Sequence, residues 1–278
     1  MLRRTLVLIL MSLFAGGYFL LLSTPFIAAA ETISIDGTGD SQLLLRQLGD
    51  LFQQQNPDDQ ILVPNSVGSG GGIQLLLAGR TTLARVARPL KPKEQAEGLQ
   101  HQIFAYSPIV FVANLPTPCL QNISETEVVA VFEGTINSWA QLGSCPEHKI
   151  YVANREDGDS SRTVLEEKIP ALKQIGQLAG RTIYSTPETY DTLNQYPYSF
   201  GYLPKSQVRK GYLTILDFDG ISASIDNVQQ GRYPLAVPLG IAWKGELSGL
   251  AERFVAFLTS DDARQIMLQM SVMPALRR

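Results

Sequence analysis

Asn65–Arg80 reads NSVGSGGGIQLLLAGR, and the reading of this stretch decides how the rest of the chain is understood. Gly68, Ser69, Gly70, Gly71 and Gly72 stand directly before an apolar run, Ile73 to Leu77, which has the pattern of a helix's buried stripe. The stretch therefore reads as a loop feeding a helix N-terminus. The first N–H groups of a helix have no partner inside it, and the aligned peptide dipoles add partial positive charge there, so such an end attracts an anion. Glycine lets backbone come close, and Ser69 adds a neutral hydroxyl donor. A plain capped loop with no ligand is the competing reading, and both stay open at this point. Ile73 stands where the last Gly of G-x-G-x-x-G would fall and no Lys follows, so neither the dinucleotide nor the P-loop fingerprint fits. Val67 at the first Gly position of G-x-S-x-G excludes a serine-hydrolase elbow.

Working outward, Thr32 to Ile35 predicts a strand, and Asp36 to Ser41 (DGTGDS) a turn into a helix over Gln42 to Gln54. Leu44, Leu45, Leu48, Leu51 and Phe52 share one face of that helix. Gln60 to Pro64 and Thr82 to Ala87 predict further strands, and Lys91 to Ala96 a helix. Strands alternating with helices imply parallel pairing with helices on both faces, and ligands in such sheets sit beyond the carboxyl ends of the strands. Ile103 to Ala113 (IFAYSPIVFVA) is a long β-rich run leaving the first lobe, and Tyr233 to Trp243 (YPLAVPLGIAW) a second that returns to it. Between them, Ser124 to Val131 predicts a helix, Ser138 to Leu142 a turn and Ile150 to Ala153 a strand. Asn154 to Arg162 (NREDGDSSR) is a polar loop into a helix over Thr163 to Lys168. Tyr198 to Leu203 and Tyr212 to Leu216 predict strands, and Leu250 to Met270 a helical segment broken near Ser260.

The 278 residues are 45% hydrophobic, 18% charged and 8% aromatic, enough for a core and for two lobes. A formal net charge of −3 without a basic face excludes a general nucleic-acid binder. Arg3 and Arg4, the apolar run Leu6 to Leu22, and Ala28-Ala29-Ala30 stand in the order of a secretory signal, expected to be cleaved near Ala30. An uncleaved anchor over residues 5–22 is the alternative, because that run approaches spanning length. The chain is expected outside the cytosol, in the periplasm or otherwise exported. There Cys119 and Cys145, each beside Pro and bracketing one segment, are expected to pair.

An enzyme needs a nucleophile with a base, a metal cluster or a cofactor loop. His101 and His148 stand far apart, no H-x-x-x-H or C-x-x-C spacing exists, and no cofactor or metal is expected. Glu156, Asp157 and Asp159 can be read as an acid/base set or as ordinary helix-cap residues. Binding asks for less. Arg155 offers a planar fork of donors, Ser160 and Ser161 offer hydroxyls, and with Thr38 and Ser69 there are three Gly/Ser/Thr helix starts that can converge on one small anion.

With these motifs assembled, the sequence resembles the phosphate-binding proteins of ABC importers, a periplasmic type II solute-binding family. The markers are IDGTGD (Ile35 to Asp40), VGSGGGIQLLLAG (Val67 to Gly79), ARPL (Ala87 to Leu90), FEGTINSWAQLG (Phe132 to Gly143), NREDGDSSR (Asn154 to Arg162), SFGYLPKS (Ser199 to Ser206) and GRYPLAVPL (Gly231 to Leu239). The resemblance implies an α/β, two-lobed, periplasmic-binding-protein-like fold, each lobe a mainly parallel sheet flanked by helices. Residues 31–112 with 231–278 would form one lobe and 113–230 the other. It implies inorganic phosphate or a similar oxyanion held between the lobes, delivery to the permease subunits of an ABC importer, and no catalysis; a monomer is expected. It places ligand contacts on Thr38, Asp40, Ser69, Gly70, Arg155, Asp159, Ser160 and Ser161. Another oxyanion, a sensor role, or an exported hydrolase or transferase are the alternatives. The chain departs from the family where Ser or Thr gives way to Asp40 and Asp159, and where Ala87 replaces the Asp that accepts the ligand's proton in the best-known receptor. Either new Asp is expected to take over that acceptance, with Arg85, Arg88 or Arg162 offsetting its charge.

Overall fold

The computed structural model describes residues 30–209 and 211–276. The expected signal segment and its alternative as an anchor lie outside the described residues. Among those described, no helix is long and apolar enough to cross a membrane.

The first lobe opens with β1 (Thr32–Gly37), α1 (Gln42–Gln55), β2 (Gln60–Leu62), α2 (Gly68–Leu77), β3 (Leu83–Val86) and α3 (Pro92–Ala96). β1 pairs in parallel with β2 on one side and β3 on the other, as strand–helix alternation requires. Leu44, Leu45 and Leu48 of α1 are wholly buried beneath this sheet. Each such side chain contributes about 1.5–3 kcal/mol. On the opposite face Ile73 and Leu76 of α2 pack with Val86, Leu90 and Ala242.

β4 (Leu99–Asn114) is longer than the predicted run, 16 residues, and serves both lobes. Its first part pairs with β10 (Ala236–Lys244), and its last part, from Ile109, pairs with β8 (Ser199–Pro204). Every pairing of β10 and β4 among the described residues is antiparallel. Buried strands read as continuous apolar runs whatever their direction, so the sequence carried no mark of this reversal.

The second lobe adds β5 (Asn122–Ile123), α4 (Glu125–Glu133), β6 (Tyr151–Arg155), α5 (Ser160–Lys168), α6 (Pro170–Gln174), β7 (Arg181–Ile183) and α7 (Thr186–Gln195). β9 (Leu213–Phe218) and α8 (Ile225–Gln229) follow β8; α9 (Gly249–Phe257), α10 (Asp261–Gln269) and β11 (Met273–Pro274) close the chain. Parallel pairing recurs between β6 and both β7 and β8. Its core is aromatic, with Phe111, Phe132, Phe200 and Trp139 all at most 1% exposed. Cys119 and Cys145 are joined, their Cα atoms 5.2 Å apart.

Two local expectations are corrected. The Gly-rich stretch is not a loop before the helix: α2 begins at Gly68 and contains Gly70, Gly71 and Gly72. A Cβ at Gly72 would come within 2.6 Å of the Gly37 Cα, so the absent side chain lets the helix lie directly on β1. Likewise α5 begins at Ser160 rather than Thr163, with Asp159 as its N-cap, its side chain accepting from the Arg162 N–H. Asn154 and Arg155 accordingly belong to β6 rather than to the loop.

Candidate functional site

Gly37 ends β1 at φ 140°, and a Cβ there would stand 2.0 Å from the Arg85 carbonyl oxygen. Only glycine permits so close a crossing, and it turns Thr38 to Ser41 away from the sheet toward the second lobe. The Thr38 hydroxyl accepts from the Asp40 N–H at 3.2 Å and shapes that turn. Asp40, fully buried, is thereby carried to the centre of the contact between lobes.

The second lobe meets Asp40 with donors. Ser161 Oγ donates to its Oδ2 at 3.2 Å, and Thr186 Oγ1 to its Oδ1 at 2.5 Å. Its carbonyl oxygen accepts from Ser206 Oγ at 3.2 Å and Gln207 Nε2 at 3.0 Å, both in the single-turn helix Lys205–Gln207. Beside this cluster the Ser69 and Ser160 hydroxyls lie 3.1 Å apart, one from each lobe, and Ser69 Oγ also accepts from the Ala87 N–H at 3.1 Å. Thus the N-terminal turns of α2 and α5 face each other.

Arg155, at the end of β6, is 4% exposed. Its Nε donates to the Ile183 carbonyl at 3.1 Å, Nη1 to Thr186 Oγ1 at 2.9 Å, and Nη2 pairs with Asp159 Oδ2 at 2.7 Å. A single threonine oxygen therefore joins the guanidinium to the Asp40 carboxylate. The cluster carries one cation against two carboxylates. Burial pushes Asp40 up to about 6, the Asp159 charge pushes the same way, and Arg155 with the two hydroxyl donors opposes them.

Thr38, Asp40, Ser69, Arg155, Asp159, Ser160 and Ser161 all come together here. Gly70, in the same turn of α2, is exposed, with nothing near its Cα on the side-chain side. The arginines expected to offset the new carboxylates do other work. Arg88 pairs with Glu94 at 2.8 Å, and Arg162 with Glu166 at 2.6 Å. Arg85, wholly buried, donates to the carbonyls of Ile35, Thr38 (2.6 Å) and Pro64 (2.8 Å), and burial lowers it to about 10.

Three residues of the cluster, Thr186, Ser206 and Gln207, are not among the expected contacts, although Ser206 closes the marker SFGYLPKS. For Thr186 a signal existed: Ser185-Thr186-Pro187-Glu188 is a helix-start signature with Pro in the first turn. Ser185 indeed accepts from the Glu188 N–H at 3.3 Å. A cavity of about 800 Å³ opens elsewhere, against the starts of β6 and β8, lined by His148, Tyr151, Tyr196 and Tyr198 among others. None of the cluster residues lines it, and the donors between the lobes carry the ligand argument instead.

Two α/β lobes sharing a pair of long strands, with buried donors from both meeting between them, define a bilobal solute-binding fold. The chain belongs to the PBP superfamily: a PBP superfamily domain matches residues 25–262. It is 28% identical over 240 residues to the phosphate-binding protein PstS of Bacillus subtilis (strain 168), covering 85% of this chain and 78% of that one. Its fold is similar to a Clostridium perfringens protein described as a phosphate ABC transporter substrate-binding protein and solved with bound phosphate. There the TM-score is 0.79 at 22% identity, over 88% of this chain and 100% of that one. The regulatory domain of CcmR from Synechocystis PCC6803, solved with 2-PG, shares the fold at TM-score 0.55 and 16% identity, over 82% and 96% of the two chains.

Proposed function

We propose that this chain is an exported receptor that captures inorganic phosphate between its lobes and presents it to the permease of an ABC importer. The observation that carries the reading is the meeting of Ser69, Ser160, Ser161, Thr186 and Arg155 around one buried point, with both lobes contributing. Such a set holds a tetrahedral oxyanion through hydroxyls, first-turn N–H groups and one bidentate cation. The expected division falls a few residues earlier than 112/113, since β4 joins the second lobe's sheet from Ile109; two crossings, there and ahead of β10, let the lobes part for a ligand and close over it, the closed form being what a permease would recognise.

Two carboxylates inside the set favour a ligand that brings a proton. Phosphate retains one near neutral pH and can donate it to Asp40 or Asp159; sulfate has none, and its full charge would face both carboxylates. The kinship with phosphate-binding proteins supports phosphate, and the carboxylates support a protonated form of it. Calorimetry with phosphate and sulfate near pH 7 tests this reading: phosphate binds and sulfate does not. Tight sulfate binding with none for phosphate would overturn it.

A second reading keeps the fold as a sensor of another small oxyanion. It is favoured by the excess negative charge beside Arg155, which lowers the attraction for a multiply charged anion. A thermal-shift panel of oxyanions separates the two, because a ligand that binds only the folded state raises its stability.

A further inference from the structure

A hydroxyl has one proton to donate. The Ser161 and Thr186 protons both go to the Asp40 carboxylate, across the boundary between the lobes. Thr186 at the same time accepts from Arg155, and Arg155 spends its other fork nitrogen on Asp159. The donors that suit an oxyanion are thus committed to two carboxylates of the chain itself. We infer that Asp40 is a built-in occupant of the oxyanion site: its carboxylate latches the second lobe onto the first, and an incoming anion must displace it from Ser161 and Thr186. Of the two carboxylates, Asp159 is then the one left to accept a phosphate's proton.

The latch half of this inference stands apart from the proposed phosphate reading; only the displacement half rests on it. The geometry supports the latch on both sides of the residue. The Asp40 side chain is held by α5 and α7, and its main-chain carbonyl by Ser206 and Gln207, so one residue of the first lobe engages three elements of the second. Gly39 beside it leaves no space: a Cβ there would stand 2.7 Å from the Pro187 Cδ.

The charged groups facing Asp40 are Arg155, which ends β6, and Asp159, which caps α5; Thr38, Ser161, Thr186, Ser206 and Gln207 are neutral. Enclosure of the carboxylate favours its protonated form, so lobe closure takes up a proton, and the latched population is larger at pH 5 than at pH 8. An asparagine at this position keeps the shape of the protonated group and should keep the latch. Alanine should release it.

Spin labels at Lys93 and Glu167, exposed positions of α3 and α5, report the separation of the lobes by pulsed electron resonance. Without phosphate, the wild type and Asp40→Asn are expected to show a short distance, and Asp40→Ala a longer one that saturating inorganic phosphate shortens. The double variant Ser161→Ala/Thr186→Val leaves Asp40 in place and should open the lobes equally, which keeps the test decisive if Asp40→Ala does not fold. A wild-type distance as long as that of either opened variant would overturn the latch. Where calorimetry finds phosphate bound by both wild type and Asp40→Ala, at least tenfold tighter binding by the variant is expected, and equal affinities would overturn displacement. If neither binds phosphate while the variants still open, the latch stands and the phosphate reading falls.

Discussion

Arg85 in β3 and Arg155 at the end of β6 are both almost wholly enclosed, and both send a donor to a main-chain carbonyl, yet they differ in what can take their place. Arg85 has backbone oxygens of Ile35, Thr38 and Pro64 for partners, fixed by the fold, with Gln42 farther off at 3.4 Å. Arg155 has Thr186 and Asp159, side chains that can turn to another group. A buried cation on main-chain oxygens is scaffold; one on side chains from separate elements can exchange partners with a ligand. The sequence shows an Arg in each place and cannot show this difference.

The two arginines should part company most clearly when each is replaced. Arg85→Met strands buried carbonyls, and chemical denaturation should register a loss of about 3–5 kcal/mol at every pH. Arg155→Met should cost about 2–4 kcal/mol at pH 8 and distinctly less at pH 5, because the Asp40 carboxylate it no longer faces can then protonate. Equal pH dependence in the two variants would erase the distinction.

Asp40 should show the next largest effect. A carboxyl whose folded value, about 6, lies above its ordinary 3.8 binds more protons in the folded protein. Its stabilising contribution is complete below 3.8 and is lost as pH rises through 6, a span worth about 3 kcal/mol. Urea melts of wild type and Asp40→Asn should therefore diverge between pH 4 and pH 8, with the variant gaining; parallel curves would contradict the assignment. Thr186→Val, which removes the oxygen between Arg155 and Asp40, should cost about 1–3 kcal/mol in the same melts, and phosphate affinity measured by calorimetry should change with it. The smallest effect belongs to Arg88→Ala, whose buried partner Glu94 loses a two-pronged contact but keeps the Lys91 N–H at 2.8 Å: about 1 kcal/mol by denaturation, and an unaltered phosphate isotherm.

Much of the fold was legible because its signals are local. The leucine face of α1, the two long apolar runs and the break at Ser260 between α9 and α10 all follow from periodicity and caps. The Gly-rich stretch was misplaced because intrinsic propensity disfavours glycine in a helix, whereas here close approach to β1 outweighs that preference. α7 carries little sequence signal because TPETYDTLNQ shows hardly any apolar stripe; two of its four buried residues are threonines. In the candidate site, Arg155 and Asp40 stood out by chemistry. Thr186, Ser206 and Gln207 did not, since common polar residues gain meaning only from what tertiary structure places opposite them.

A register slip lies between Leu239 and Gly240, where β10 runs beside β4 and Gly240 also pairs with Val86 of β3. A bulge interrupts the ladder and raises local twist, turning the strands just before they cross to the second lobe. In the proposed receptor, opening would be a rotation about the paired strands β4 and β10 rather than a free separation. The angle of gape, and with it the size of solute admitted, is limited by how far two strands can be wrung before their remaining hydrogen bonds fail.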